Sequence, residues 1–193
     1  MLGLKLPTDP RWATAAQHHL EDLLTDHAYC EQKAASTAIS LLITYPEHTD
    51  LVREMAALAR EEMSHFELVH QLIVQRGFVL GRERKDEYVA ALQLHFPKTK
   101  DRNLRLIHRL LVAALIEARS CERFRVISET LEDEELARFY RGLMASEAGH
   151  YTLFLRLARE TAGRDQVDPL WEGLLEYEKN LVASFERPQH IHG

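Results

Sequence analysis

Apolar residues recur along this chain in alternating steps of three and four, the spacing that puts side chains on one face of a helix. Four long stretches keep the alternation without a slip. The first runs Leu20, Leu24, His27, Glu31, Ala34, Ala38, Leu41, and the second Leu51, Met55, Leu58, Glu62, His65, Val69, Leu72. The third runs Leu106, Leu110, Ala113, Glu117, Ser120, Phe124, Ile127, Leu131, and the fourth Leu136, Tyr140, Leu143, Glu147, His150, Phe154, Leu157. Each reads as the inward stripe of a packed helix, and each has a glutamate in the middle, where a hydrocarbon belongs. A buried carboxylate with no compensating partner costs several kcal/mol, so the four glutamates call for a shared cation.

The punctuation between stripes defines the elements. Asp9-Pro10 opens the first helical region, which breaks near Gln17 to Leu20 and ends at about Thr44, before Pro46. A second helix opens at Thr49-Asp50 and closes at Gly77. The connection to the third stripe is too long for a plain loop and is expected to hold a short helix, Arg82 to His95. Asp101 caps the third helix, and Thr130-Leu131-Glu132-Asp133 resembles a capping box opening the fourth, which Gly163 ends. Asp168-Pro169 is read as the start of a fifth amphipathic helix (Leu170, Leu174, Tyr177, Leu181), and Pro188 onward as a tail containing His190 and His192. The predicted fold is all-α: two antiparallel hairpins joined by a long crossover, a four-helix bundle with additional short helices, in a single domain of residues 1–193.

Two of the four glutamates begin the tetrad Glu-x-x-His, as Glu62 to His65 and Glu147 to His150. Residues three apart on a helix project from one face, so both can reach one metal ion. The tetrad alone is weak evidence, because 21 Glu and 11 His in 193 residues give about one by chance. A third instance, Glu67 to His70, falls off the stripe and is expected outside any site. The turns near Pro46 and Leu131 lie about midway between Glu31 and Glu62 and between Glu117 and Glu147, so each pair can meet across its hairpin. Glu122, the rival to Glu117, is rotated away and lies too near its turn to meet Glu147. Carboxylates with one imidazole per pair suit iron or manganese, not metals that prefer thiolates. A Glu from each of two helices and a Glu-x-x-His from each of the other two is the donor set of ferritin-like di-iron proteins. In such a site Glu62 and Glu147 bridge the ions, Glu31 and His65 complete one, and Glu117 and His150 the other.

Charge changes the picture in one segment. The net charge is −6, yet residues 76–125 hold 12 basic and 6 acidic side chains. Lys98, Lys100, Arg102 and Arg105 cluster there, with Arg119, Arg123 and Arg125 as the next candidates, suggesting an encounter with a polyanion. The longest apolar run, Leu110 to Ile116, is far short of the roughly 20 residues that cross a bilayer. Two cysteines, Cys30 and Cys121, lie at unequal distances from their turns and are read as free thiols, which suits the cytoplasm. Gly149, between ligand positions, is read as a point of tight packing or access.

The run Leu106 to Phe124, with Ile116-Glu117-Ala118-Arg119-Ser120-Cys121 at its centre, resembles the third helix of the tRNA hydroxylase family called MiaE. Asp26-His27-Ala28-Tyr29-Cys30-Glu31-Gln32-Lys33-Ala34, Glu61-Glu62-Met63-Ser64-His65-Phe66 and Phe139 through His150 carry the same resemblance. It implies a non-haem di-iron monooxygenase that hydroxylates the isopentenyl group of 2-methylthio-isopentenyl-adenosine beside the anticodon, with two iron ions, O2 as co-substrate and tRNA as substrate. The family's ligands map onto Glu31, Glu62, His65, Glu117, Glu147 and His150. With no glycine-rich dinucleotide fingerprint and no cysteine cluster, two electrons are expected from a separate reductase or ferredoxin. The chain is expected to act as a monomer. The competing expectations are an iron-storage or ferroxidase protein, a peroxidase or manganese catalase using the same centre, and a non-catalytic tRNA-binding bundle.

Overall fold

A computed structural model describes residues 2–184, which form seven α-helices and no strand. The tail with His190 and His192 lies outside the described residues. The break foreseen in the first region is real: α1 (Pro10–Gln17) ends before α2 (Leu20–Thr44) begins. Residues His18–Lys85 form one compact unit, and the segments before and after it form another.

In the His18–Lys85 unit, α2 packs antiparallel against α3 (Thr49–Gln75). Tyr45 and Pro46 turn the chain; the Tyr45 N–H donates to Leu41 O at 3.0 Å, and His48 closes edge-on against the Tyr45 ring. Gly77 takes φ +75°, a left-handed conformation that favours glycine, and lets Phe78 N–H donate back to Ile73 O at 3.0 Å. The chain then folds back along α2. Gly81 N–H donates to Thr25 Oγ1, Tyr29 OH donates to Gly81 O, and Arg84 and Glu83 pair with Asp22 and Lys33. A Cβ on Gly81 would come within 3.2 Å of the Thr25 methyl, so glycine permits this close return.

The other unit is built on the hairpin of α5 (Arg102–Thr130) and α6 (Glu134–Ala162), preceded by α4 (Glu87–Leu94) and followed by α7 (Arg164–Ser184). Three of these helices have an aspartate at the N-cap. Asp86, Asp101 and Asp133 accept from Val89, Leu104 and Leu136 N–H at 2.8–3.0 Å, satisfying donors that have no partner within the first turn. Three boundaries differ from expectation. The crossover helix is shorter than Arg82 to His95, because the cap at Asp86 sets its start. Thr130 does not open a capping box: it is the last residue of α5, its hydroxyl donating to Val126 O, and the cap is Asp133. The last helix begins at Arg164, not Asp168-Pro169; Gly163 turns at φ +80°, Val167 N–H bonds Gly163 O, and Pro169 is accommodated inside the helix.

All stripe positions of α3 and α6 are buried. In α2 the stripe is shifted slightly, with Ala35 buried and Ala34 half-exposed. Helix α5 departs most from a one-faced pattern. It is buried almost all round from Leu106 to Ser128, because α1, α4 and α7 cover the faces that α6 leaves open. No helix among the described residues is long and apolar enough to cross a membrane.

Candidate metal centre

Each hairpin buries its own half of the expected donor set. In the α2–α3 hairpin, Glu31, Glu62 and His65 are all buried, and each brings a ligand atom within 4.8 Å of the others. His65 Nδ1 lies 3.5 Å from Glu31 Oε2 and 3.4 Å from Glu62 Oε2. This follows from register: Glu62 and His65 are one turn apart on α3, and Glu31 stands opposite them on α2. The α5–α6 hairpin repeats the arrangement with Glu117, Glu147 and His150, all buried, His150 Nδ1 lying 4.0 Å from each carboxylate.

Burial acts against charge on both partners, and the electrostatics show what opposes it. Burial raises the Glu31 carboxyl, but hydrogen bonds from His27 and His65 outweigh it and hold Glu31 below the ordinary carboxylate range. Burial likewise lowers His65, but Glu31 and Glu62 overcome this and push the imidazole up to about 10. In each half, buried carboxylates gather around one imidazole. Oxygen donors with one nitrogen suit iron or manganese, so the residues present fit a pair of such ions.

His27 belongs to this half as well as to the inward stripe of α2. It is fully buried, with Nε2 2.6 Å from Glu31 Oε1. Its sequence signal was available: a polar ring on the inward stripe, four residues before a ligand position.

The excluded candidates sit elsewhere. Glu67 and His70 are exposed, His70 stacking on Phe66. Glu122 is buried in a different network. It accepts from Thr8 N–H at 3.1 Å, from the Thr8 hydroxyl at 2.6 Å and from Arg119 Nη1. Arg119, 0% exposed, also donates to Glu178 Oε1 from Nε at 2.9 Å and Nη2 at 2.6 Å, and to Leu6 O at 3.0 Å. Tyr88 OH donates to the same Glu178 oxygen at 3.1 Å, and the Arg123 guanidinium lies 5.0 Å over the Trp12 ring. Arg119 and Arg123 are therefore internal and cannot serve as surface cations.

The basic segment before α5 is on the surface: Lys98, Lys100, Arg102 and Arg105 are exposed. Arg105 has an inward task as well, Nη1 donating to the carbonyls of Thr99 and Lys100 at 3.0 Å and folding the loop that carries the lysines. Gly149 is exposed, and a Cβ there would meet nothing within 4 Å, so the structure shows no tight packing at that position. Cys30 and Cys121 are free thiols.

Comparison with known proteins bears on this arrangement directly. The family model described as tRNA-(MS[2]IO[6]A)-hydroxylase (MiaE) matches residues 2–193. The tRNA 2-(methylsulfanyl)-N(6)-isopentenyladenosine(37) hydroxylase of Pseudomonas putida is 40% identical over 98% of this chain and 91% of its own. Its namesake from Salmonella typhimurium is 29% identical over 98% and 87%. A solved structure, a Synechococcus protein with aldehyde deformylating oxygenase activity, is 36% identical and superposes with a TM-score of 0.91, covering 98% of this chain and 95% of that one. The recurring Glu and Glu-x-x-His pattern, the all-helical fold and these matches agree: this chain belongs to the MiaE family of tRNA hydroxylases, enzymes of the ferritin-like class.

Proposed function

We propose that this chain is a tRNA-modifying non-haem di-iron monooxygenase that hydroxylates the isopentenyl group of 2-methylthio-isopentenyl-adenosine next to the anticodon. The observation that carries the reading is the buried donor pattern, present once in each hairpin as Glu31 with Glu62 and His65, and as Glu117 with Glu147 and His150. On this reading Glu31, Glu62 and His65, together with Glu117, Glu147 and His150, would be the residues that hold the iron. When bound, the irons supply what side chains cannot: reduction of O2 and an oxidant able to break an unactivated C–H bond.

The balance of the reaction fixes its other needs. One C–H bond, O2, two electrons and two protons give one C–OH and one water. Neither a dinucleotide fingerprint nor a cysteine cluster is present in the sequence, so the electrons come from a separate reductase or ferredoxin. The protein's own part is to exclude water, hold the ligands and bind RNA. Burial of the ligand side chains serves the first two. Exposed Lys98, Lys100 and Arg102 present charge to tRNA phosphates, while Arg105 shapes their loop. On this reading the chain acts as a monomer, in the cytoplasm where its tRNA substrate resides. Storage or peroxidase chemistry finds no specific support: the matching family and both named relatives are tRNA hydroxylases.

The test is direct. Reduced, iron-loaded protein given O2 and an electron donor should make prenylated tRNA one oxygen heavier, with label arriving from labelled O2 and not from water. tRNA lacking the prenyl group should remain unchanged. Absence of added oxygen with two irons confirmed bound would refute the hydroxylase reading.

A further inference from the structure

The chain repeats its donor pattern, so the two copies can be compared position by position. Glu31 corresponds to Glu117, Glu62 to Glu147 and His65 to His150. One turn before the lone glutamate the copies part: His27 precedes Glu31 by four residues, whereas Ala113 precedes Glu117 by four. Positions i and i+4 share a helix face, and on α2 this brings His27 Nε2 to 2.6 Å from Glu31 Oε1, with the ring fully buried. The other oxygen, Oε2, faces His65. A methyl group at Ala113 can neither donate nor accept. The two halves differ in tightness as well: His65 Nδ1 lies 3.5 and 3.4 Å from its carboxylates, His150 Nδ1 4.0 Å from both of its own.

We infer that His27 is a positioning residue that holds Glu31 with one oxygen committed to its imidazole and the other presented to metal, so that the two metal positions are inequivalent. The inference rests on the di-iron reading above. A carboxylate hydrogen-bonded at one oxygen is confined to a narrow range of side-chain orientations and turns its other oxygen outward. A ligand held in this way is pre-organised, and partners of this kind ordinarily govern metal affinity by about 10–100-fold. The α2–α3 position therefore fills first. Glu117 has alanine, not histidine, one turn before it.

Anaerobic calorimetric titration of the full-length metal-free protein with Mn2+ or Fe2+ tests this without any turnover. Wild type should bind in two unequal steps. His27→Phe keeps a buried ring but removes the nitrogen, and should weaken the tighter step by about 10–100-fold while leaving the other in place. His27→Gln retains an amide donor and should recover most of the loss. Pulsed EPR of protein loaded with one Mn2+ should find a single coordinated imidazole nitrogen, that of His65. Two equal steps in wild type, or wild-type affinities in His27→Phe, would overturn the inference. A second coordinated imidazole would overturn it too, making His27 a ligand. Metal-free circular dichroism of both variants checks that they are folded, and His27→Gln losing the tight step while folded would count against a positioning role. Wild type taking up no metal at all would instead overturn the di-iron reading, so the two failures are distinct.

Discussion

Replacing Arg119 with Met should destabilise this protein severely, and the size of the effect follows from what the guanidinium touches. Arg119 is 0% exposed and bonds two carboxylates, Glu122 and Glu178, that are themselves 2% and 0% exposed. Methionine fills similar space but leaves both acids buried beside an apolar chain. Glu122 keeps the Thr8 hydroxyl and N–H, and Glu178 keeps Tyr88 OH, so the loss is partly offset. Breaking a buried pair by removing one member costs about 3–5 kcal/mol, against a total stability on the order of 5–15 kcal/mol. For a chain of this size that is a fall in Tm of roughly 6–20 °C. Urea unfolding followed by circular dichroism measures it, with the midpoint moving and the slope constant. The triple variant Arg119→Met, Glu122→Gln, Glu178→Gln removes all the charges together and should recover much of the loss, since buried ion pairs are often replaceable as a set. A single variant within about 1 kcal/mol of wild type, or a triple variant no better than the single, would refute the claim that paired charge, and not packing, is at stake.

Reconstituted protein should hold about two irons per chain; Glu117→Ala should lose at least one by metal analysis, whereas His70→Ala and Glu122→Gln should keep both. Charge reversal at Lys98, Lys100 and Arg102 should weaken tRNA binding and reduce its salt slope by about 0.7–0.9 per lost phosphate contact, with iron content unchanged. In the metal-free protein, His65 is raised from its ordinary 6.5 to about 10, so its stabilising charge is fully present below 6.5 and lost as pH climbs towards 10. Glu31 is held low, so its contribution is present above its ordinary 4.5 and fades as pH falls below that. Metal-free melting temperature should accordingly decline from pH 7 to 10 while Mn2+ affinity, measured by titration, rises as the His65 proton leaves.

The four stripes were legible because a helix writes its burial into a local period, and every stripe residue of α3 and α6 is indeed buried. A glutamate in mid-stripe was the signal for the ligand positions, yet the same signal has another meaning. Glu178 stands four residues after Leu174 on the buried face of α7 and is matched by Arg119, 59 residues away, not by a metal. That pairing is non-local, and no spacing rule connects α5 with α7. For the same reason Arg119 and Arg123 looked like surface cations: the layer that covers them comes from Trp12 on α1, Tyr88 on α4 and Glu178 on α7. The misplaced cap at Thr130 is a smaller lesson. Thr130-x-x-Asp133 fits a box by composition, but Asp133 bonding Leu136 N–H fixes the start three residues later.

The enclosure of α5 bears on how freely the two hairpins can vary in sequence. Residues on α5 are buried in nearly every phase, whereas α2 and α3 keep outer faces where Ile39, Ile43, Leu68 and Val74 stand in solvent. An exhaustive substitution library should therefore show tolerance rising and falling with every helical turn along α2 and α3, and remaining low throughout α5. Mutational drift is then channelled into the outer faces of α2, α3 and α6 and barred from most of α5. Under such a regime the two hairpins change unevenly, and the feature they keep in common is the register Glu31, Glu62, His65 against Glu117, Glu147, His150.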